Sequence, residues 1–329
     1  MNNIGYNEDI DKCLLTVIIP VHNTVNYLKR CIESVLNQNL KSIKIIIIDD
    51  ASSDGTSDIV EYYERKYPYI KSHRNNDRNG PGYSRNVGLS LTDTKYVAFL
   101  DSDDWIDSSA YWESIYELEN DESIQIAIFG IKTEYNSPEY SSSRYKYKYK
   151  NIISNSFALS MLCKTHNLES YISALLGSKV FRTDLLKENK ILFGDVLFED
   201  NAFTFKAFAK SKKLVIIPDV YLHYYQRERS IMHSFSKKHI DDFFKGFVEL
   251  RNFLKENSMF DLLRTEYYAF FEKCYKSLLN SMFASEQSAS IQKKYILYFL
   301  KIFQENFDID DYIDFIDINH FYSFLNKFI

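Results

Sequence analysis

Three carboxylates within four residues, Asp101, Asp103 and Asp104 of the segment DSDDW, follow directly on the apolar run KYVAFL. Like charges this dense repel one another unless a cation or protons relieve them. Hard divalent cations take oxygen ligands, and Mg2+ or Mn2+ commonly binds one or two carboxylates together with substrate phosphates. The segment therefore offers a metal–phosphate site, the plainer alternative being a solvated turn or helix cap. Four more segments carry similar promise. IIIIDDASSDGT (45–56) ends an apolar run on Asp50, with Ser53 or Asp54 placed to cap a following helix. NGPGYSRNVG (79–88) has glycines that permit unusual backbone angles, and Arg85, which suits an anion or a carboxylate. It is not GxGxxG and gives no dinucleotide fingerprint. FGDVLFEDNAFTF (193–205) sets Glu199 and Asp200 in an aromatic stretch. A carboxylate there is costly without a task or partner, unless it occupies the first turn of a helix, where acids suit the dipole. YLHYYQRERSIMHS (221–234) brings His223, Arg227, Arg229, Ser230 and His233, cations and hydroxyls for a diphosphate and imidazoles for a metal, or else a solvated basic loop.

The elements that must position these residues alternate. LTVIIPV (15–21) and IKIIIID (43–49) read as buried strands, YPYIKSHRN as a short one and KYVAFLD (95–101) as a fourth. Between them lie helical segments: Tyr27 to Leu36, with Leu28, Cys31, Ile32, Val35 and Leu36 on one face, then Thr56 to Tyr67, then the run after the glycines at 80 and 82. Asn23 and Thr24 offer a cap for the first helix. Such alternation predicts a mostly parallel sheet wrapped by helices, with ligands beyond the carboxyl ends of its strands. Each strand does end in polar residues: Asn23, Asp49–Asp50 and Asp101–Asp104. The Tyr/Lys alternation within 132–156 reads as an exposed hairpin or edge strand. After about residue 236 the pattern is helical, and IQKKYILYFLKIFQ (291–304) is apolar on nearly every side, a buried core helix or a docking surface.

Composition narrows the class. With 329 residues, 45% hydrophobic and 26% charged, the chain can bury a sizeable core. A net charge of −5 argues against a nucleic-acid partner. The 26 Tyr and 25 Phe fit an AT-rich coding bias, with stacking on sugar rings as a second reading. Cys13, Cys31, Cys163 and Cys274 form no CxxC pair, which excludes a zinc or redox dithiol pattern and fits a reducing cytoplasm. The polar, acidic start MNNIGYNEDIDKC does not read as a signal peptide, and no apolar run is long enough to span a membrane.

Taken in order, TVIIPVHN, SVLNQNL, IIIIDDASSDGT, GYSRNVGL, FLDSDDW and FEDN resemble the family 2 glycosyltransferases, over roughly residues 14–235. The resemblance implies the GT-A nucleotide-diphospho-sugar transferase fold, a Rossmann-like α/β domain at 1–235, followed by a helical region at 236–329. It implies that Pro20, His22, Asn23 and Asp50 line a nucleotide pocket, with Asp50 at the uracil edge and His22 where such enzymes often carry Tyr. Arg85, Asp101 and Ser102 fall on the nucleotide-sugar side. Asp103 resembles the principal ligand of a Mn2+ or Mg2+ ion, with Asp101 near it. Asp200 resembles the catalytic base, with Glu199 beside it at the acceptor. Arg229, Ser230 and His233 resemble a late loop that closes on the diphosphate, His233 completing the metal shell. The expected partners are a UDP-sugar donor and an oligosaccharide or lipid-linked glycan acceptor in bacterial surface-polysaccharide synthesis. The expected setting is cytoplasmic, with peripheral membrane contact or self-association through the C-terminal helices. A sugar-nucleotidyltransferase would need a Gly-rich, cationic loop where PVHNT stands. A non-catalytic scaffold subunit would not need Asp101, Asp103 and Asp200 together.

Overall fold

The computed structural model describes residues 13–137, 140–165, 171–227, 235–285 and 288–307. Its first half alternates: β1 (Leu15–Val21), α1 (Leu28–Leu36), β2 (Ile43–Asp49), α2 (Thr56–Lys66), β3 (Ile70–Arg74), α3 (Pro81–Leu91), β4 (Tyr96–Phe99), β5 (Trp105–Ile106), α4 (Ala110–Asn120) and β6 (Ile124–Glu134). There follow β7 (Ser142–Tyr145), β8 (Asn151–Ser154), α5 (Asn155–Cys163), β9 (Lys179–Arg182), α6 (Thr183–Glu188), α7 (Glu199–Lys210) and β10 (Lys213–Tyr225). Helices α8 (Lys237–Glu256), α9 (Arg264–Ala284) and α10 (Ala289–Asn306) close the described chain.

The strands form one sheet in the order β3-β2-β1-β4-β9-β6-β10-β5, with β7 on β6 and β8 on β10. From β3 to β4 every pairing is parallel, as the buried β-branched runs require. Beyond β4 the sheet is mixed, because β9 runs antiparallel to both of its neighbours, β4 and β6. Parity along each strand divides the core. Leu15, Val17 and Ile19 of β1, Tyr96 and Ala98 of β4, and Ala127 and Phe129 of β6 face α1, α2 and α4. Ile18, Val97, Phe99, Ile126 and Ile128 face the opposite layer, which contains α5, α7 and the C-terminal helices. Phe243, Phe244, Phe247, Phe270, Phe271, Phe299 and Phe303 belong to that same cluster, so α8, α9 and α10 share one core with the helix that carries Asp200. Much of the phenylalanine excess is therefore core material.

Three local expectations change. Asn23 and Thr24 do not cap α1 with their side chains; its first turn starts at Tyr27, whose N–H donates to the Thr24 carbonyl at 2.9 Å. The Tyr/Lys segment is only in part the exposed hairpin or edge strand expected: β7 pairs antiparallel with β6 and β8 with β10, but Tyr147 is buried while Tyr149 is exposed. Helix α10 turns Ile296, Phe299 and Phe303 inward and leaves Ile291 and Leu297 exposed, so it is amphipathic and not apolar all round. No helix among the described residues is long and apolar enough to cross a membrane. The polar, acidic start that does not read as a signal peptide falls almost wholly on residues 1–12, outside the described residues.

Candidate active site

The polar ends of β1, β2 and β4 lie side by side, because these strands are parallel neighbours. Asn23 (φ 52°) and Ala51 (φ 56°) both take the left-handed conformation just past β1 and β2. Non-glycine residues hold that conformation only where their surroundings enforce it. Here the two loops are laced together. Asn23 Oδ1 accepts from Ser53 N (2.8 Å), Asn23 N donates to Ser52 Oγ (3.1 Å), and Thr24 N donates to Thr56 Oγ1 (2.8 Å). The His22 ring places Nδ1 at 2.7 Å from the Asp50 carbonyl oxygen. Asp54 accepts from Thr56 N at 3.0 Å and Val25 N at 3.1 Å, so it both supports the start of α2 and ties it to the first loop.

Asp50 is buried, and its carboxylate holds the glycine loop. It accepts from Asn75 Nδ2 (2.7 Å), from Asn79 N (2.9 and 3.1 Å) and from Gly80 N (2.7 Å). Three donors, one of them shared by both oxygens, thus hold the Asp50 carboxylate and tie the glycine loop to the end of β2. Its neighbour Asp49, the other half of the polar end of β2, carried no role of its own in the sequence reading. It is also buried, and it binds Ser52 N (2.9 Å), Ser57 Oγ (2.6 Å) and the Arg74 guanidinium. Burial pushes the Asp49 carboxyl up, but these hydrogen bonds and Arg74 bring it below its ordinary value.

The GYSRNVGL segment forms α3, and four of its residues have separate tasks. A Cβ on Gly82 would lie 2.7 Å from the Gly194 carbonyl oxygen, so only glycine lets α3 approach the loop before α7. Asn86 clips that loop by two bonds with the Phe193 backbone, each 3.0 Å. A Cβ on Gly88 would meet Ile18 Cγ2 at 2.4 Å, which seats α3 on β1. Arg85 lies buried between these contacts. One Nη donates to Asp101 Oδ1 at 2.5 Å, the other to Glu199 Oε1, and Nε has no partner among the described residues. Of the anion or carboxylate expected for Arg85, the described residues supply carboxylates: its guanidinium joins Asp101 and Glu199.

The DSDDW turn is held from several directions. Asp104 N donates to the Asp101 carbonyl (3.0 Å), and the Asp104 carboxylate accepts from Tyr225 N (2.9 Å). Burial first, then Asp103 and Asp101, push the Asp104 carboxyl well above its ordinary value. Asp103 accepts from Arg227 Nε, while Arg30 donates to the Asp103 carbonyl at 2.9 Å and lies 3.6 Å over the Trp105 ring. Burial raises the Asp103 carboxyl, with Arg227 opposing and Asp101 adding to the rise. Ser102 is buried in this turn. Behind it, Gln38 of the SVLNQNL segment donates to the Asp107 carbonyl (2.8 Å) and accepts from Tyr111 N (3.1 Å), pinning the start of α4. Arg227 belongs to the cations expected of the basic segment and Gln38 to the SVLNQNL segment, whereas Arg30 had no signal beyond its position in a helix.

Glu199 and Asp200 open α7 after Phe198, another left-handed residue (φ 63°). They are acids in a first turn, as the dipole favours, and they also face the acidic turn. Glu199 is taken up by Arg85. Asp200 has no hydrogen bond or ion pair from its carboxylate among the described residues. Burial raises its pKa to about 6; Glu199 and Asp101 add to the rise, and Arg85 and Lys179 oppose it. His223 sits on β10, with Nδ1 2.7 Å from Glu134 and Nε2 3.2 Å from Asp107, and it stacks on Trp105. It is a wedge between strands and not part of a loop. Arg229, Ser230 and His233 lie outside the described residues.

The donor set suits a hard cation only in part. Among the described residues no cluster of three His, Cys, Asp or Glu could hold a metal by itself. Asp101 and Asp103 do supply two adjacent carboxylates, and a positive charge, the Arg227 guanidinium, already rests on Asp103. Two carboxylates completed by phosphate oxygens are the usual provision for Mg2+ or Mn2+, so these residues fit such an ion together with a phosphate ligand.

The sequence matches the family model described as Glycosyl transferase family 2 over residues 16–181. It is 31% identical, over 231 residues, to a poly(ribitol-phosphate) beta-glucosyltransferase of Bacillus spizizenii, which covers 67% of this chain and 33% of that protein. It is 29% identical to a cholesterol galactosyltransferase of Borreliella burgdorferi over 82% of this chain and 75% of that protein. The chain spans about a third of the length of the first of the curated relatives it matches. Among solved structures it is similar to Staphylococcus aureus TarS in complex with UDP-GlcNAc, with a TM-score of 0.61 and 21% identity, covering 91% of this chain and 89% of that one. That likeness carries the fold.

Proposed function

The chain belongs to glycosyl transferase family 2, and on that premise we propose that it transfers a sugar from a UDP-sugar to a carbohydrate hydroxyl with inversion at the anomeric carbon. The observation that carries this reading is the pairing of opposite provisions at one place. Glu199 is neutralised by Arg85, while Asp200, the next residue, keeps a carboxylate without a hydrogen-bond or ion-pair partner among the described residues, with a pKa of about 6. A base with a pKa near neutrality can hold and release a proton at working pH, which is worth roughly 10²–10⁴-fold in rate. Asp200 accepts the proton of the attacking hydroxyl. That oxygen displaces the nucleoside diphosphate in line, so an α-linked donor gives a β-linked product.

The pocket between the ends of β1 and β2 takes the nucleoside, with Pro20, His22 and Asn23 as its wall and Asp50 holding its floor in shape. Asp101 and Asp103 would hold Mn2+ or Mg2+, with His233 as a further ligand. Such an ion neutralises the charge that grows on the departing diphosphate. Arg85 keeps the carboxylates of the two sides in register, and Arg227, Arg229 and Ser230 supply cations and a hydroxyl to the phosphates. A relative named poly(ribitol-phosphate) beta-glucosyltransferase, and a structural neighbour with bound UDP-GlcNAc, support a hexose-type UDP-sugar and a bacterial surface glycan as acceptor, free or lipid-linked. Contact with a membrane surface or a second copy would use the outer face of α10, where Ile291 and Leu297 stand exposed.

The test is a screen of UDP-sugars with Mn2+, followed by release of UDP. Turnover of at least one donor, abolished by chelation, is expected. Release that is absent for every UDP-sugar, with no UDP binding by calorimetry, would overturn the reading.

A further inference from the structure

The acidic turn that carries Asp101 and Asp103 runs into β5, which is only Trp105 and Ile106. It pairs with His223 and Leu222 of β10. A ladder shorter than the usual strand fixes little by itself, and side chains supply the rest. Trp105 and His223 stand directly opposite each other, and their rings stack at 4.8 Å and 12°. The Arg30 guanidinium, from α1, lies 3.6 Å from the centroid of the same indole and donates to the Asp103 carbonyl at 2.9 Å. Trp105 therefore links β10 to the backbone of Asp103 through one continuous stack of planar groups.

His223 is itself held in place. Its Nδ1 lies 2.7 Å from Glu134 of β6, which Lys132 also meets at 2.7 Å, and its Nε2 lies 3.2 Å from Asp107. Asp107 follows Trp105 by two residues, so the imidazole grips this stretch twice, by its face and by its edge. Further along β10, Tyr225 N donates to Asp104 at 2.9 Å, and the Tyr225 ring lies 4.9 Å from the Arg30 guanidinium. Residues 103–107 are thus clamped from β10 and α1 together. We infer that Trp105 and His223 are positioning residues for the cation-binding turn: their stack fixes the peptide of Asp103 and so aims its carboxylate. The inference rests on the proposal that Asp101 and Asp103 hold Mn2+ or Mg2+ beside the diphosphate. The two rings act through the turn, as the outer partners of a metal site do, and loss of such partners typically lowers metal affinity by about 10–100-fold.

Calorimetry separates this role from simple packing. In the wild type, UDP should bind more tightly with Mn2+ than without it. In His223→Leu and in Trp105→Leu that gain should shrink by at least about 10-fold. Uridine, which carries no phosphate, should bind these variants as it binds the wild type, because the nucleoside pocket lies at the ends of β1 and β2. His223→Phe keeps an aromatic face for Trp105 and should recover most of the gain. Should the leucine variants fail to fold, Arg30→Met removes the other partner of the indole and leaves β5 and β10 unaltered, with the same loss expected. A full gain in His223→Leu would overturn the inference. So would a parallel loss of uridine affinity, or a loss that His223→Phe does not repair. A wild type without any Mn2+-dependent gain would instead remove the proposed cation site, and the inference with it.

Discussion

Asp101 and Glu199 share one guanidinium, that of Arg85. The acidic turn after β4 and the first turn of α7 are thereby fixed to each other, although the carboxylates come from distant parts of the chain. Removing the guanidinium leaves the buried Glu199 carboxylate uncompensated, with the partly exposed Asp101 as a smaller term, and breaking a buried pair in this way costs about 3–5 kcal/mol. Arg85→Ala should lose that much in urea denaturation and should lose transfer. Arg85→Lys keeps one charge without the two-pronged geometry and should recover only part of the stability. A denaturation midpoint unchanged in Arg85→Ala would show that the brace carries no energy.

Asp200 gives a pH signature with a definite sign. Burial, with Glu199 and Asp101, raises its pKa in the folded protein to about 6, above its ordinary 3.8. Between these values the folded state holds the extra proton, so this residue's contribution to stability falls as pH rises and the full penalty stands above about 6. Asp200→Asn removes the penalty. It should be more stable than wild type by roughly 1–3 kcal/mol above neutrality, with the difference fading toward pH of about 4. Thermal melts across that range measure it directly. A difference that does not change with pH would mean that the carboxyl is not raised.

Asp103 meets Arg227 in the described form, so a divalent ion at Asp103 shares or replaces that partner. Asp103→Asn removes the negative charge that both cations need. Calorimetry with UDP should show a Mn2+-dependent gain in affinity in the wild type and none in Asp103→Asn. An equal gain in both proteins would place the cation elsewhere.

Gly88 lets α3 lie directly on β1. Gly88→Ala would drive a methyl group into Ile18 and should cost about 1–3 kcal/mol, as overpacking of a tight core does. Because α3 also carries Arg85, the shift should lower activity as well. A variant with normal stability would show that the helix moves freely on the sheet.

The parallel half of the fold was legible because β1, β2 and β4 are continuous apolar runs that end in polar residues. That pattern names both the strands and the end of the sheet where the site lies. The antiparallel β9 was not legible, since its four residues KVFR carry no periodic signal and contain the buried Lys179. Acidic site residues were visible as types out of place beside apolar stretches. Their partners were not: Arg85 was legible as suited to an anion or a carboxylate, but sequence cannot show that it bridges Asp101 and Glu199. The donors of Asp50 were hidden for the same reason, as two of them are the backbone amides of Asn79 and Gly80.

The most direct measurement compares wild type with Asp200→Asn, using a UDP-sugar that the wild type turns over in the presence of Mn2+. Donor affinity is read by calorimetry, and UDP release in a single turnover by rapid quench. Unchanged affinity with release slowed at least about 10²-fold is the expected result. Wild-type release by the Asp200→Asn protein, at equal donor occupancy, would contradict the assignment of Asp200 as the group that accepts the proton.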